Sequence, residues 1–172
     1  MNSDDQLVLE FQQGSREAFR ELFERYRDPL YGFFRRRLEN PGRAEELAQE
    51  CFLVLLRNRA RYEPRASFRS YLYGIAMNMV FAERRKAGRE ISDAHPPDGH
   101  AEQNLDAALW IRRALERLDA DDREILMLRE YEQLSYAEIA GMLRLPVNTV
   151  RSRLFRARLA LKELLMPVRG SN

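Results

Sequence analysis

The last third of the chain carries side chains suited to binding nucleic acid. Guanidinium groups pair with phosphate oxygens and with base edges, and no acidic residue lies between Pro146 and Glu163, where these side chains occur. We expect the early outward residues to reach base edges and the other arginines to meet phosphates. The side chains concerned are Thr149, Arg151, Ser152, Arg153, Phe155, Arg156 and Arg158.

Two short helices joined by a tight turn would position these side chains. Ser135 followed by Glu138 matches a capping box, which predicts that the first helix begins at residue 136. Pro146 cannot continue that helix, so it must end near residue 143. Turns of this type usually have a glycine with positive φ where Arg144 stands, and a non-glycine residue there costs about 1 kcal/mol.

The second helix is predicted to follow Asn148, which is a favourable N-cap residue. Its apolar residues recur at spacings of four and three, so they form one stripe facing the protein body: Val150, Leu154, Ala157, Leu161 and Leu164. An amphipathic helix with a solvated basic face would share this stripe. The capped first helix and the proline-containing turn favour a helix-turn-helix that binds duplex DNA.

Composition restricts the remaining classes of function. The net charge is +2 over 172 residues, so DNA affinity must come from local clusters. The single cysteine, Cys51, is expected in the core and excludes an internal disulfide or a cysteine-based zinc cluster. His95 and His100 suggest a metal site only weakly, and we expect no metal and no cofactor. No signal peptide or long apolar run is evident, so we expect a cytoplasmic protein without direct membrane insertion.

The predicted fold class is all-α, with two small helical domains joined by a flexible acidic linker. An N-terminal helical bundle occupies residues 1–87, and a four-helix domain with the helix-turn-helix occupies residues 105–168. The linker, residues 88–104, is rich in proline, glycine and acids. In the first domain we predict a short helix near Leu7, a long helix that begins at Ser15 and is ended by Pro41-Gly42, and helices at residues 43–58 and 68–86. In the second domain we predict helices at residues 105–118 and 120–130, followed by the two helices of the helix-turn-helix.

Two features of the first domain suggest binding surfaces. The helix at 68–86 is apolar on more than one side, and arginines and tyrosines lie around it, which suits single-stranded nucleic acid. A bundle core with a solvated basic end is the alternative. The helix at 43–58 is acidic in its first half, which fits either a docking surface for a basic partner or a solvated face favoured by the helix dipole.

Three separated motifs resemble those of bacterial sigma factors of the extracytoplasmic-function (ECF) group, in the sigma-70 family. They are AEELAQECF at residues 44–52, FRSYLYGIAMN at residues 68–78 followed by Arg84 and Arg85, and the segment from Pro146 to Arg158. Order and spacing agree over about residues 10–165. Tyr71 stands where the family often has tryptophan, and Ala82 stands where it often has aspartate.

The resemblance implies a role for each motif. Binding to the core polymerase would involve Glu46, Leu47, Gln49, Glu50 and Phe52. Capture of the melted −10 element would involve Arg61, Tyr62, Ser67, Phe68, Tyr71, Asn78, Arg84 and Arg85. Reading of the −35 duplex would involve the residues from Thr149 to Arg158 named above. The linker would lie in the channel for nascent RNA, where its acidity would imitate a polyanion; the alternative is that an acidic, proline-rich linker simply stays soluble and extended.

The predicted function is therefore an RNA polymerase sigma factor that directs the core enzyme to promoters and promotes DNA melting, without enzymatic activity or a small-molecule substrate. Its partners would be bacterial core RNA polymerase, promoter DNA and an anti-sigma factor. A free-standing helix-turn-helix activator is the alternative, and it would lack the acidic docking helix and the aromatic melting helix. A nucleic-acid enzyme such as a recombinase is a third hypothesis, for which the sequence offers no convincing nucleophile or carboxylate cluster.

Overall fold

The computed structural model describes residues 1–89 and 106–166, and the chain divides into two compact units. Within these ranges the regular structure is helical, with no strand, as predicted. The first unit contains a 3-10 turn, Arg59–Arg61, and the helices α1 (Asp4–Gln12), α2 (Arg16–Arg35), α3 (Pro41–Arg57) and α4 (Phe68–Arg89). The second contains α5 (Asp106–Glu116), α6 (Ala120–Glu130), α7 (Tyr136–Leu143) and α8 (Val147–Leu165). Apart from Gly88 and Arg89, which belong to α4, the predicted linker lies outside the described residues.

The core of the first unit is built around α2. Leu22, Leu30, Phe33 and Phe34 on this helix are fully buried, and α2 packs against α1, α3 and α4. Cys51 of α3 is also buried, as expected, and burial raises the pKa of its thiol to about 12. Since a nucleophilic cysteine acts as the thiolate, this residue is a packing element.

The boundary between α2 and α3 differs from the prediction. Pro41-Gly42 does not end the long helix, which stops at Arg35; instead Pro41 opens α3, with Asn40 as its N-cap. The Asn40 Oδ1 atom accepts a hydrogen bond from the Arg43 amide at 3.1 Å. Proline suits the first helical turn because it lacks the amide hydrogen that would have no partner there, and its φ is already helical.

Both apolar sides of α4 are used in packing. Tyr73, Met77 and Val80, on the side of the helix opposite Phe68 and Leu72, are buried, and α4 contacts α1, α2 and α3. The bundle-core alternative is therefore correct for these residues. The helix continues to Arg89, three residues beyond the predicted end at 86.

The helix-turn-helix forms in the second unit largely as predicted. The Ser135–Glu138 capping box is present, with hydrogen bonds of 3.1 and 2.8 Å, and Arg144 adopts the left-handed conformation at φ 56°. The N-cap of α8 is Pro146 and not Asn148, because the Pro146 carbonyl already accepts the amides of Thr149 and Val150. Asn148 therefore lies in the first turn of α8. No helix in the described ranges is both long and apolar enough to cross a membrane.

Candidate DNA and polymerase interfaces

The helix α8 has one face anchored in the second unit and one face exposed. Val150, Leu154 and Ala157 of the predicted stripe are buried, while Leu161 and Leu164 are half-buried. The opposite face is exposed, and Phe155 on it is 71% exposed. A large aromatic ring that projects from a basic helix is available for contact with a ligand.

Three of the arginines on α8 are paired with acids of α6. Arg153 Nη1 lies 3.3 Å from Asp121 Oδ2, Arg156 forms two bonds of 2.8 Å with Asp122, and Arg158 Nη2 lies 2.7 Å from Glu130 Oε1. Hydrogen bonding to these carboxylates raises the pKa of Arg156 and of Arg158, so both guanidinium groups stay charged. The sequence analysis did not identify these acidic partners, because patterns among neighbouring residues cannot indicate a contact between residues so far apart in the chain.

The remaining predicted −35 residues lie near the start of α8. Arg151 is exposed, and its Nη1 donates to Asn148 Oδ1 at 2.8 Å. Ser152 is exposed, and its hydroxyl donates to the Thr149 carbonyl at 3.1 Å, while Thr149 itself is half-buried. The structure therefore brings Arg151, Ser152, Phe155 and Arg156 together on the outward face.

Three residues of the predicted −10 set form a line along α4. Tyr71, Asn78 and Arg85 are seven residues apart, so they lie two turns apart on one face, over about 21 Å of helix. Tyr71 is half-buried, and the other two are exposed, as is the neighbouring Arg84. This length suits a strand of several nucleotides.

The predicted base-capture loop precedes α4. The Tyr62 and Tyr71 rings are in contact, with centroids 4.5 Å apart, and burial raises the pKa of both phenols. Arg61 is exposed, and the hydroxyl of Ser67 caps α4 by accepting the Ser70 amide at 3.1 Å.

Phe68, by contrast, is only 1% exposed and lies against the Tyr26 ring, with centroids 5.5 Å apart. The structure places Phe68 in the core and away from any surface that DNA could reach. Burial of its apolar ring in the core stabilises the fold more than exposure of the ring at a polar interface would.

Gln12 is a residue of this region that sequence reasoning missed. Its Nε2 donates to the Arg59 carbonyl at 3.1 Å and to the Tyr62 carbonyl at 2.7 Å. These bonds tie the end of α1 to the loop before α4. No sequence signal identifies this role, because Gln12 is about 50 residues from its partners.

The predicted polymerase-binding residues on α3 divide into exposed and buried groups. Glu46, Gln49 and Glu50 are exposed, whereas Leu47 and Phe52 are buried and serve to pack α3. Leu53 and Leu56 add exposed apolar area that the sequence reasoning did not assign. Gln49 and Phe52 also line a groove between α2 and α3, together with Phe23, Arg27, Asp28, Tyr31, Glu45 and Ala48.

A salt-bridge cluster joins the start of α3 to α4. Arg43 donates to Glu46 at 2.9 Å and also pairs with Glu83 of α4. Hydrogen bonding to Arg43 lowers the pKa of Glu83. In residues 1–89 and 106–166, no group of three or more His, Cys, Asp or Glu side chains could hold a metal ion, and the two histidines lie outside these ranges.

Known families match both units. The Sigma-70 region 2 model matches residues 22–90, and the Sigma-70 region 4 model matches residues 108–161. The RNA polymerase sigma-H factor of Pseudomonas aeruginosa is 32% identical over 96% of this chain and 95% of its own length. The ECF RNA polymerase sigma-E factor of Escherichia coli K12 is 30% identical over 96% of each chain.

A solved structure agrees with these matches. The sigma factor RpoE in complex with the anti-sigma factor NepR from Bartonella quintana has a TM-score of 0.70 and 26% identity, covering 88% of this chain and 98% of that one. The comparisons define one class of protein, the RNA polymerase sigma factor. The chain belongs to the sigma-70 family, and within it to the ECF group.

Proposed function

We propose that this chain directs bacterial core RNA polymerase to promoters by reading a −35 duplex with α8 and a melted −10 strand with α4 and its preceding loop. Residues 1–87 act as sigma domain 2, and residues 105–168 act as sigma domain 4. The observation that carries the proposal is that one chain contains both family regions. In each region a helix has a buried apolar face and an exposed basic face.

At the −35 element, α8 enters the major groove. Arg151, Ser152, Phe155 and Arg156 face the base edges, and Thr149 contacts the backbone near the helix start. Arg153 and Arg158 contact phosphates. The buried stripe of α8 supports this role because it leaves the opposite, basic face of the helix exposed.

At the −10 element, one base leaves the duplex stack and is captured by the loop. Unstacking costs a few kcal/mol, which ring stacking on Tyr62 and Tyr71 offsets. Asn78, Arg84 and Arg85 then hold the following nucleotides, and Arg61 and Ser67 contact the backbone. The contact between the two rings supports this role because it keeps an aromatic platform at the start of α4.

The exposed acidic face of α3 docks on the core polymerase. Glu46, Gln49 and Glu50 supply the polar contacts, while Leu47 and Phe52 hold the helix in place from beneath. A regulatory anti-sigma factor is a further partner, since the Bartonella quintana relative is seen in complex with one. The chain works in the cytoplasm as a specificity subunit and has no enzymatic activity of its own.

Run-off transcription with purified core polymerase on a genomic fragment library tests the proposal. We expect transcripts that start at specific sites only when the chain is present. The free-standing activator alternative predicts instead that the isolated chain protects duplex DNA by itself and does not bind the core enzyme. Failure to bind the core in a pull-down would contradict the proposal.

A further inference from the structure

Arg156 of α8 is held side-on by a carboxylate from another helix. Its Nε donates to Asp122 Oδ2 and its Nη2 donates to Asp122 Oδ1, each at 2.8 Å. The Asp122 side chain is only 7% exposed, whereas that of Arg156 is 64% exposed. A carboxylate with so little access to water depends on its partner, so we expect the pair to persist in solution.

This geometry leaves one edge of the guanidinium group for a ligand. The group has five N–H donors in a fixed plane, and Asp122 takes the two on the Nε side. The far edge consists of one N–H of Nη1 and the second N–H of Nη2, and neither of these donates to Asp122. That edge can give two parallel hydrogen bonds to O6 and N7 of guanine, the commonest specific contact of arginine in the major groove. Arg156 can therefore bind Asp122 and a guanine at the same time.

We propose that Asp122 is a positioning residue for promoter recognition, which holds Arg156 so that its Nη1/Nη2 edge reads a guanine in the −35 element. The inference rests on the proposed docking of α8 and adds to it the identity of one base. A long side chain normally loses rotamer freedom when it binds. One that is already held loses less, so the restraint increases discrimination between bases.

The neighbouring acid provides a matched comparison. Asp121 also lies in the first turn of α6, but its side chain is 75% exposed and makes a single 3.3 Å bond to Arg153. Changing either aspartate to asparagine removes one negative charge from the same helix end. Long-range electrostatic effects on DNA binding are therefore closely similar in the two variants, and only Asp122→Asn weakens the restraint on Arg156.

The test is selection of promoters by the reconstituted holoenzyme from a pool randomised over the −35 element. We expect wild type to enrich guanine at one position, and Arg156→Ala to lose that preference. Asp122→Asn should reduce the same preference roughly threefold to tenfold, while other positions and non-specific binding stay unchanged. Asp121→Asn should select like wild type, and Asp122→Glu should retain more of the preference than Asp122→Asn.

Two results would overturn the inference while the proposed function stands. In the first, Arg156→Ala loses one guanine preference but Asp122→Asn keeps it in full. In the second, Asp122→Asn weakens all positions equally, as a merely structural role would. If Arg156→Ala changes no position at all, the proposed docking of α8 fails as well.

Thermal unfolding of Asp122→Asn shows whether the variant folds. If it does not, Asp122→Ala takes its place, because it removes the carboxylate that holds Arg156 without leaving a buried amide group to satisfy. Loss of the guanine preference with intact non-specific binding then supports the inference, and an unchanged preference refutes it.

Discussion

Replacing Gln12 with alanine is expected to impair promoter melting far more than binding to the −35 duplex. The side chain ties α1 to the loop before α4 through the carbonyls of Arg59 and Tyr62. In our proposal that loop captures the base extruded from the −10 element. Gln12 itself is half-buried and is assigned no DNA contact, so its effect would act through the shape of the loop.

The size of the effect follows from the two hydrogen bonds. Each is worth about 0.5–1.5 kcal/mol net, so their loss makes the ordered loop less favourable by about 1–3 kcal/mol. The apparent affinity for the extruded base falls in proportion to the fraction of chains with an ordered loop. The contact between Tyr62 and Tyr71 also restrains the loop. We therefore expect a loss near the lower end of the range, roughly fivefold to tenfold.

The assay is the fluorescence of a base analogue placed in the −10 element of a promoter bound by holoenzyme, measured beside binding to the isolated −35 duplex. The exposed neighbour Gln13, changed to alanine, serves as control, since it is adjacent at the end of α1. Melting at the wild-type level in Gln12→Ala would refute the reasoning. So would an equal loss of −35 binding, because that would indicate general unfolding.

Three further predictions concern the other surfaces. Arg151→Ala should weaken −35 binding by about 1–3 kcal/mol and relax the preference at one base pair, measured by competition with mutated duplexes; unchanged selection would exclude a base contact. Glu50→Lys should reduce core binding at least about tenfold in a titration, by charge reversal on the proposed docking face, with helix content intact; Glu10→Lys on α1 should bind normally, and equal binding by both variants would contradict the docking role. Because Arg43 lowers the pKa of Glu83 in the folded chain, the stabilisation from this carboxylate is complete above the pKa of an ordinary glutamate and is lost as the pH falls through the lowered pKa. Glu83→Gln should therefore flatten that part of the stability curve in pH-dependent thermal unfolding, and an unchanged slope would rule out this contribution.

Features that depend on neighbours in the chain were predictable. The Ser135–Glu138 capping box occurs as expected, and the helix predicted at 120–130 forms with Asp119 as its N-cap; both caps involve bonds over two or three residues. The positive φ of Arg144 follows in the same way from the shape of a tight turn between two helices. Gln133, which also has a positive φ, had no comparable signal in the sequence.

The errors concern residues whose type fits two local roles. A proline can follow one helix or open the next, and Pro41 does the second because α2 has already ended at Arg35. Asn148 suits an N-cap, but α8 begins one residue before it. Likewise Phe68 has the right type for stacking on a base, and its burial against Tyr26 assigns it to the core instead.

The sequence by itself determined the helical class, the helix-turn-helix and the family, because periodicity, caps and motifs all operate within a few residues along the chain. Only the tertiary structure decided which acids accompany the arginines of α8, since the partners lie 28 to 34 residues apart. The same holds for the bonds between Gln12 and the loop before α4. Contacts over such separations exist only after the helices have packed, so the restraints that orient the proposed reading side chains are a property of the folded molecule.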